Sequence, residues 1–142
     1  MILTTKGRYA VISLLDIASC QQTRPVNLGN IALRQNISVN YLEQIFNKLK
    51  SANLVTSIKG PGGGYVLARP IDEISIKQII DAVGENFEMT RCGNNPEKRC
   101  TTKNTKCFTH DLWNVLSTKI NQYLSNISIK DVIENNLPLK EY

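Results

Sequence analysis

Three cysteines and the single histidine of this 142-residue chain fall within nineteen residues, in the spacing Cys92-x7-Cys100-x6-Cys107-x2-His110. Thiolates and a neutral imidazole are soft-to-borderline donors, and four of them in one short segment form a metal-ligand set. Lys98, Arg99, Lys103 and Lys106 surround the set, and positive charge favours the thiolate form that a metal requires. Two cofactors fit. Zinc takes three cysteines and a histidine in tetrahedral structural sites. An iron–sulfur cluster is held mainly by thiolates, with an imidazole altering its charge and potential. The spacing lacks the paired Cys-x2-Cys knuckles of zinc ribbons, which favours the cluster. A nucleophilic Cys107–His110 pair is a further reading, but no third group that would orient it is identifiable, so no enzyme is expected. The remaining thiol, Cys20, ends an apolar helical stretch and reads as a small buried hydrophobe.

The donor segment, residues 85–110, is polar, contains glycine and asparagine and has little apolar periodicity, so the elements around it must position it. From Tyr9 to Ser19 the residues Val11, Leu14, Leu15 and Ala18 follow the i, i+3, i+4, i+7 stripe of an amphipathic helix. Pro25 breaks that pattern, and a short second helix follows over 28–34, with Ile31 and Leu33 among its apolar residues. A turn over Gln35–Ser38 ends in Ser38, a good N-cap. Leu42, Ile45, Phe46 and Leu49 then repeat the helical stripe, leaving Asn40, Tyr41, Glu43, Gln44, Asn47, Lys48 and Lys50 on the remaining surface. Such a face can read base edges or bind phosphates, and the helix–turn–helix order would bring its N-terminal residues to the major groove. Two β-prone runs, Leu54–Lys59 and Tyr65–Ala68, flank Gly60-Pro61-Gly62-Gly63-Gly64, a hairpin tip that makes the whole a winged helix with Lys59 at the base of the wing. The glycines are not a nucleotide cradle, because no Gly-Lys-Ser/Thr follows and they lead into a strand.

Beyond Pro70 a short helix is predicted from Ser75 to Val83, with Ile76, Ile79, Ile80 and Val83 on one side. A longer one runs from Asp111 to about Ser125, with Leu112, Trp113, Val115, Leu116, Ile120, Tyr123 and Leu124 as its apolar residues. That stripe is wider than packing on one small domain needs, so the helix reads as shared between two subunits of a homodimer. Ser128 caps a last short helix through Ile133. No internal repeat and no low-complexity tract stands out. The expected fold is mainly α with a small β-hairpin: a winged helix-turn-helix over 1–84, a cofactor-binding loop over 85–110, and a dimerisation helix with its tail over 111–142.

Charge follows the same division. Residues 1–69 carry eight basic groups against two acidic, a net of +6, whereas residues 70–142 carry nine against ten, a net of −1. A basic first half is the electrostatic footprint of a phosphate-binding face, and double-stranded DNA is the partner it suggests. Lys6 and Arg8 join Asn40, Tyr41, Glu43, Gln44, Lys59, Gly60, Pro61 and Gly62 as the candidate contacts. No apolar stretch reaches the roughly 18–20 residues that span a bilayer. Lys6 and Arg8 precede any apolar run and Asp16 interrupts the first, so no secretory signal is expected. A cytoplasmic location follows, where thiols stay reduced.

Several motifs carry a resemblance over essentially the whole chain: Leu3-Thr4-Thr5-Lys6-Gly7-Arg8-Tyr9-Ala10-Val11, Tyr41-Leu42-Glu43-Gln44, Gly60-Pro61-Gly62-Gly63-Gly64-Tyr65, and the Cys92, Cys100, Cys107, His110 set followed by Leu112-Trp113. In these the chain resembles the iron–sulfur cluster regulators, a branch of the bacterial winged-helix repressors and activators. The resemblance implies a homodimer that binds a 2Fe-2S cluster through Cys92, Cys100, Cys107 and His110, and whose promoter choice answers to cluster occupancy at cluster-assembly genes. It implies base reading from the helix beginning near Val39, with Glu43 and Gln44 as readers, and a wing contact from Lys59. The cysteine spacing is longer than the family's, Lys59 stands where the family often has Arg, and Asn40 replaces a smaller hydroxyl residue. Three other readings stay open: a zinc-stabilised regulator, a thiol-redox regulator, and a winged-helix protein-interaction module.

Overall fold

The structure is a computed structural model and describes residues 3–20, 24–90, 92, 100 and 106–138. Its elements, in chain order, are α1 (Thr5–Ser19), α2 (Leu28–Gln35), α3 (Val39–Ser51), β1 (Val55–Ile58), β2 (Gly64–Leu67), α4 (Ile76–Ala82), α5 (His110–Ser125) and α6 (Ile129–Ile133). The fold is mainly helical with one two-stranded antiparallel hairpin, the predicted winged-helix class.

Short polar residues set the helix starts. Ser38 Oγ accepts the Tyr41 N–H at the head of α3, and the Asn27 side chain accepts the Gly29 N–H at the head of α2. Asn36 takes the left-handed conformation (φ 55°) that ends α2 and turns the chain into α3. The four predicted apolar residues of α3, Leu42, Ile45, Phe46 and Leu49, are all buried. In the wing Val55 stands opposite Leu67 and Ile58 opposite Gly64, and the tip turns through Gly60 (φ 102°) and Gly62 (φ 75°), values that glycine adopts at no steric cost. Val26 bridges the outer side of β2 through two hydrogen bonds with Tyr65, of 2.9 and 2.8 Å.

Three expectations need correction. Helix α1 begins at Thr5 rather than Tyr9, and its predicted stripe divides. Leu14 is buried with Ala10 and Ile17, whereas Val11, Leu15 and Ala18 are only half-buried; α1 is apolar on two sides and presents one to the core and one to a groove. Leu33 is 84% exposed, because the short α2 buries only Ile31 and Ala32. The chain also contains an internal echo: Ile74-Ser75-Ile76-Lys77-Gln78-Ile79-Ile80 returns as Ile127-Ser128-Ile129-Lys130-Asp131-Val132-Ile133. Each serine closes a capping box with the third residue after it. The two corners pair antiparallel, with the Ile76 N–H on the Ile127 carbonyl at 2.8 Å and the Ile129 N–H on the Ile74 carbonyl at 3.0 Å. Ile127 and Ile129 thereby enter the same core as α1 and α4.

One buried charge holds the helical head together. The Asp16 side chain is 4% exposed and accepts from Arg34 Nη2 at 2.5 Å, Arg34 Nε at 3.0 Å and Gln35 Nε2 at 2.8 Å, joining α1 to the end of α2. The Arg34 hydrogen bonds, opposed by burial and helped by Gln35, hold its carboxyl below the ordinary 3.8. A depressed folded-state pKa contributes stability above the unfolded value and loses it as pH falls through the folded one. In urea unfolding at pH 7, Asp16→Asn is expected to lose about 2 kcal/mol. Its deficit relative to wild type should shrink as the pH is taken below 3.8.

Candidate metal centre and nucleic-acid interface

Two surfaces of the described chain carry chemistry. The first is the donor group. Cys92 Sγ, Cys100 Sγ and a ring nitrogen of His110 lie within 4.8 Å of one another. Cys100 Sγ stands 3.0 Å from His110 Nδ1 and 3.6 Å from Cys92 Sγ, and Cys92 Sγ stands 3.7 Å from the same nitrogen. His110 is the first residue of α5, so the helix itself fixes the imidazole. Cys107, one turn earlier, lies outside this group; its sulfur is 3.5 Å from the Thr109 hydroxyl. Lys106 is 3.8 Å from Asp111, and the remaining predicted cations Lys98, Arg99 and Lys103 lie outside the described residues.

The surroundings bias these sulfurs unequally. The Thr90 hydroxyl, 3.1 Å from Cys92 Sγ, and then the Cys100 thiol hold Cys92 below the ordinary thiol range despite burial. Cys107 is lowered first by the Thr109 hydroxyl and then by the Thr109 backbone, the Cys100 thiol and the His110 backbone, against burial. For Cys100 the Cys107 backbone favours the thiolate, but burial and the thiols of Cys92 and Cys107 outweigh it and its pKa rises. Two of three sulfurs are therefore inclined toward the form that binds metal. Two thiols and an imidazole converging, with a third thiol on the adjoining turn, suit zinc or a thiolate-held cluster by donor chemistry.

The second surface is the outer face of α3 with the wing. Asn40, Glu43, Gln44 and Asn47 are exposed at i, i+3, i+4 and i+7, opposite the buried residues of the same helix. Lys59, Gly60, Pro61 and Gly62 are exposed at the wing. Tyr41 is half-buried and meets Tyr9 edge-on, ring centroids 5.8 Å apart, so α1 abuts the first turn of α3 on the side of α1 that carries Lys6. Lys50 turns instead to the hairpin, donating to Ser57 Oγ at 2.8 Å. The structure separates Arg8 from this set: it lines the apolar groove between α1 and α5, beside Leu116 and Lys119.

That groove, of about 650 Å³, is lined by Val11, Ile12 and Leu15 of α1, by Phe87, and by Leu116 and Ile120 of α5. No residue of α5 is fully buried; Leu112 is 58% and Val115 51% exposed. Sequence reasoning missed Thr90 and Ser117, whose hydroxyls hold the Cys92 thiol and the Met89 N–H, and it missed Glu85, whose carboxylate reaches α1. Ser117 and Glu85 act across the fold, where local periodicity carries no signal, and Thr90 lies two residues from its thiol in a segment without periodicity. None of the described helices is long and apolar enough to cross a membrane.

Comparison with known proteins gives a consistent answer. The sequence model of the Rrf2 family, described as an iron-dependent transcriptional regulator, matches residues 3–135. The chain is 46% identical over 136 residues to the HTH-type transcriptional regulator IscR of Aliivibrio salmonicida, covering 96% of this chain and 79% of that protein. Among solved structures, IscR of T. potens is similar with a TM-score of 0.77 at 30% identity, covering 100% of this chain and 93% of that one. CymR (YrzC), the global cysteine regulator of B. subtilis, is similar with a TM-score of 0.80 at 27% identity, covering 95% and 98%.

Loading the purified chain with Co2+ should produce thiolate-to-metal charge-transfer absorption, and Cys92→Ser, Cys100→Ser and His110→Ala should each remove or greatly weaken it. Because the Thr90 hydroxyl supports one ligand from behind, Thr90→Val is expected to weaken Co2+ binding by about tenfold in equilibrium dialysis.

Proposed function

Since the chain belongs to the Rrf2 family of iron-dependent transcriptional regulators, we propose that it reads operator DNA as a homodimer and that a 2Fe-2S cluster held by Cys92, Cys100, Cys107 and His110 governs which operators it binds. The observation that carries this reading is the convergence of Cys92, Cys100 and His110 within 4.8 Å in the same chain as an exposed polar helix face and a wing bearing Lys59. The cluster, when bound, would supply one-electron redox chemistry. The chain's own residues do the rest. Cys92, Cys100 and Cys107 supply sulfur, His110 supplies a nitrogen borne on α5, and Thr90 and Thr109 orient two of the sulfurs. Cluster-assembly genes are the target class the resemblance favours.

On the DNA side, α3 presents Asn40, Glu43 and Gln44 toward the major groove, where a carboxylate can accept from cytosine N4 and an amide can pair with adenine. Tyr41 is braced by Tyr9, and Lys6 and Lys59 approach phosphates on either side. Arg8, at the groove, contributes charge to the same half. The exposed side of α5 and the groove beside it would be covered by a second copy of the chain, since exposed apolar residues at the 112, 115 and 116 positions form a continuous stripe without a partner among the described residues.

Anaerobically purified protein should show visible absorption with iron and sulfide in its analysis; a colourless preparation carrying zinc would overturn the cluster and leave a zinc-stabilised regulator. Binding to duplex DNA should weaken steeply with salt, and Lys59→Ala should reduce the log–log slope by about one while weakening all sequences. Glu43→Ala should alter preference among sequences more than overall affinity, and equal losses on every duplex would remove it from base reading. A flat salt response would favour the protein-interaction module. Sedimentation should find a dimer for wild type and a monomer for Val115→Glu.

A further inference from the structure

We propose that Glu85 is a positioning residue that links the donor group to the DNA-facing end of α1, by capping that helix from the opposite end of the winged-helix unit. This rests on the reading of the donor group as an occupancy sensor.

Helix α1 starts without a cap of its own. Thr4 makes no side-chain cap hydrogen bond, and the first turn contains no acidic residue. A helix start leaves backbone N–H groups without intrahelical partners and carries partial positive charge. Glu85 answers both needs: its Oε1 accepts the Gly7 N–H at 3.0 Å and its Oε2 accepts the Thr4 N–H at 3.3 Å. Gly7 leaves room for that carboxylate. A Cβ at this position would lie 2.6 Å from Glu85 Oε2 and 2.9 Å from Leu3 Cδ1.

The aim of Glu85 is set by the end of α4. Gly84 turns at φ 79°, its N–H bonds the Asp81 carbonyl at 3.0 Å, and the Glu85 N–H bonds the Ile80 carbonyl at 3.2 Å. These are the two hydrogen bonds of a Schellman motif. From there to the first ligand the chain is pinned at close intervals. Phe87 is buried, the Met89 N–H donates to Ser117 Oγ on α5 at 3.0 Å, and Thr90 holds Cys92. On the other side of the cap, the first turn of α1 carries Lys6, and Tyr9 braces Tyr41 next to Glu43 and Gln44. Gathering the Cys92 end of this stretch around a metal therefore loads the Glu85 carboxylate, and the carboxylate holds the helix end that faces DNA.

The test compares wild type, Glu85→Gln and Glu85→Ala, each metal-free and each reconstituted anaerobically with ferrous iron and sulfide. Amide hydrogen exchange over residues 4–8 is read alongside affinity for a duplex enriched from a random pool by reconstituted wild type. For wild type, exchange at Gly7 and duplex affinity should both differ about fivefold or more between the two forms. Glu85→Ala should speed Gly7 exchange in both forms, retain the same iron content, and bring the two duplex affinities within about twofold of each other. Glu85→Gln, which keeps an acceptor but not the charge, should fall between them. Should Glu85→Ala not fold, Glu85→Gln and the wild-type exchange comparison decide the matter. Unchanged Gly7 exchange between the two wild-type forms, alongside a retained difference in duplex affinity, would make Glu85 a static cap and overturn the proposal. Wild type that takes up no iron, or that binds the duplex alike in both forms, would instead overturn the sensor reading and the proposal with it.

Discussion

Burial of Ala10, Leu14 and Ile17 along one edge of α1, in a single core with Phe46, Ile79 and Ile129, is the constraint from which the other arrangements follow. Once that edge is committed, every remaining side of a fifteen-residue helix has a distinct neighbour. Asp16 turns to Arg34 and Gln35, Tyr9 to Tyr41, Val11 and Leu15 to the groove beside α5, and the N-terminus to Glu85. Displacing α1 would therefore disturb α3, the apolar groove and the root of the donor loop together. Interiors packed at crystal-like density transmit such shifts rather than absorb them.

The parts legible in the sequence were those whose physics is local. The stripe Leu42, Ile45, Phe46 and Leu49, the caps Ser38 and Ser128 and the wing glycines all declare themselves within a few residues, and the structure shows each of them. Helix α1 was harder because it is apolar on two sides, so one i, i+3, i+4, i+7 series could be read where two exist. Leu33 was counted with Ile31 among the apolar residues of the second helix; two residues from Ile31, it falls on the opposite side of α2. Asp16 was legible as an interruption of an apolar run, but its partners stand 18 and 19 residues away. Glu85, 78 residues from Gly7, gave no local sign at all.

The donor residues were legible as types and spacings, while their arrangement was not. Spacing offered four ligands; the structure gathers Cys92, Cys100 and His110 within 4.8 Å and sets Cys107 three residues before α5, where the Thr109 hydroxyl and backbone and the Cys100 thiol favour its thiolate. That is a division of labour between a loop and a helix end. The helix end is rigid and electropositive, and the loop brings the other sulfurs to it. Loop lengthening between cysteines costs little conformational entropy, which reconciles the longer spacing with a converged set.

The echoed Ile-Ser-Ile corners have a mechanical consequence for α5. Paired across a local two-fold, they clamp the chain just beyond Asn126 to the root of α4. Helix α5 is thus clamped at its far end, with His110 at the opposite tip beside Cys100 and Ser117 between them holding the Met89 N–H. Sixteen residues span roughly 24 Å, so a rotation of about five degrees at the clamp would carry the imidazole about 2 Å. Small rotations at the clamp become bond-length distances at the tip.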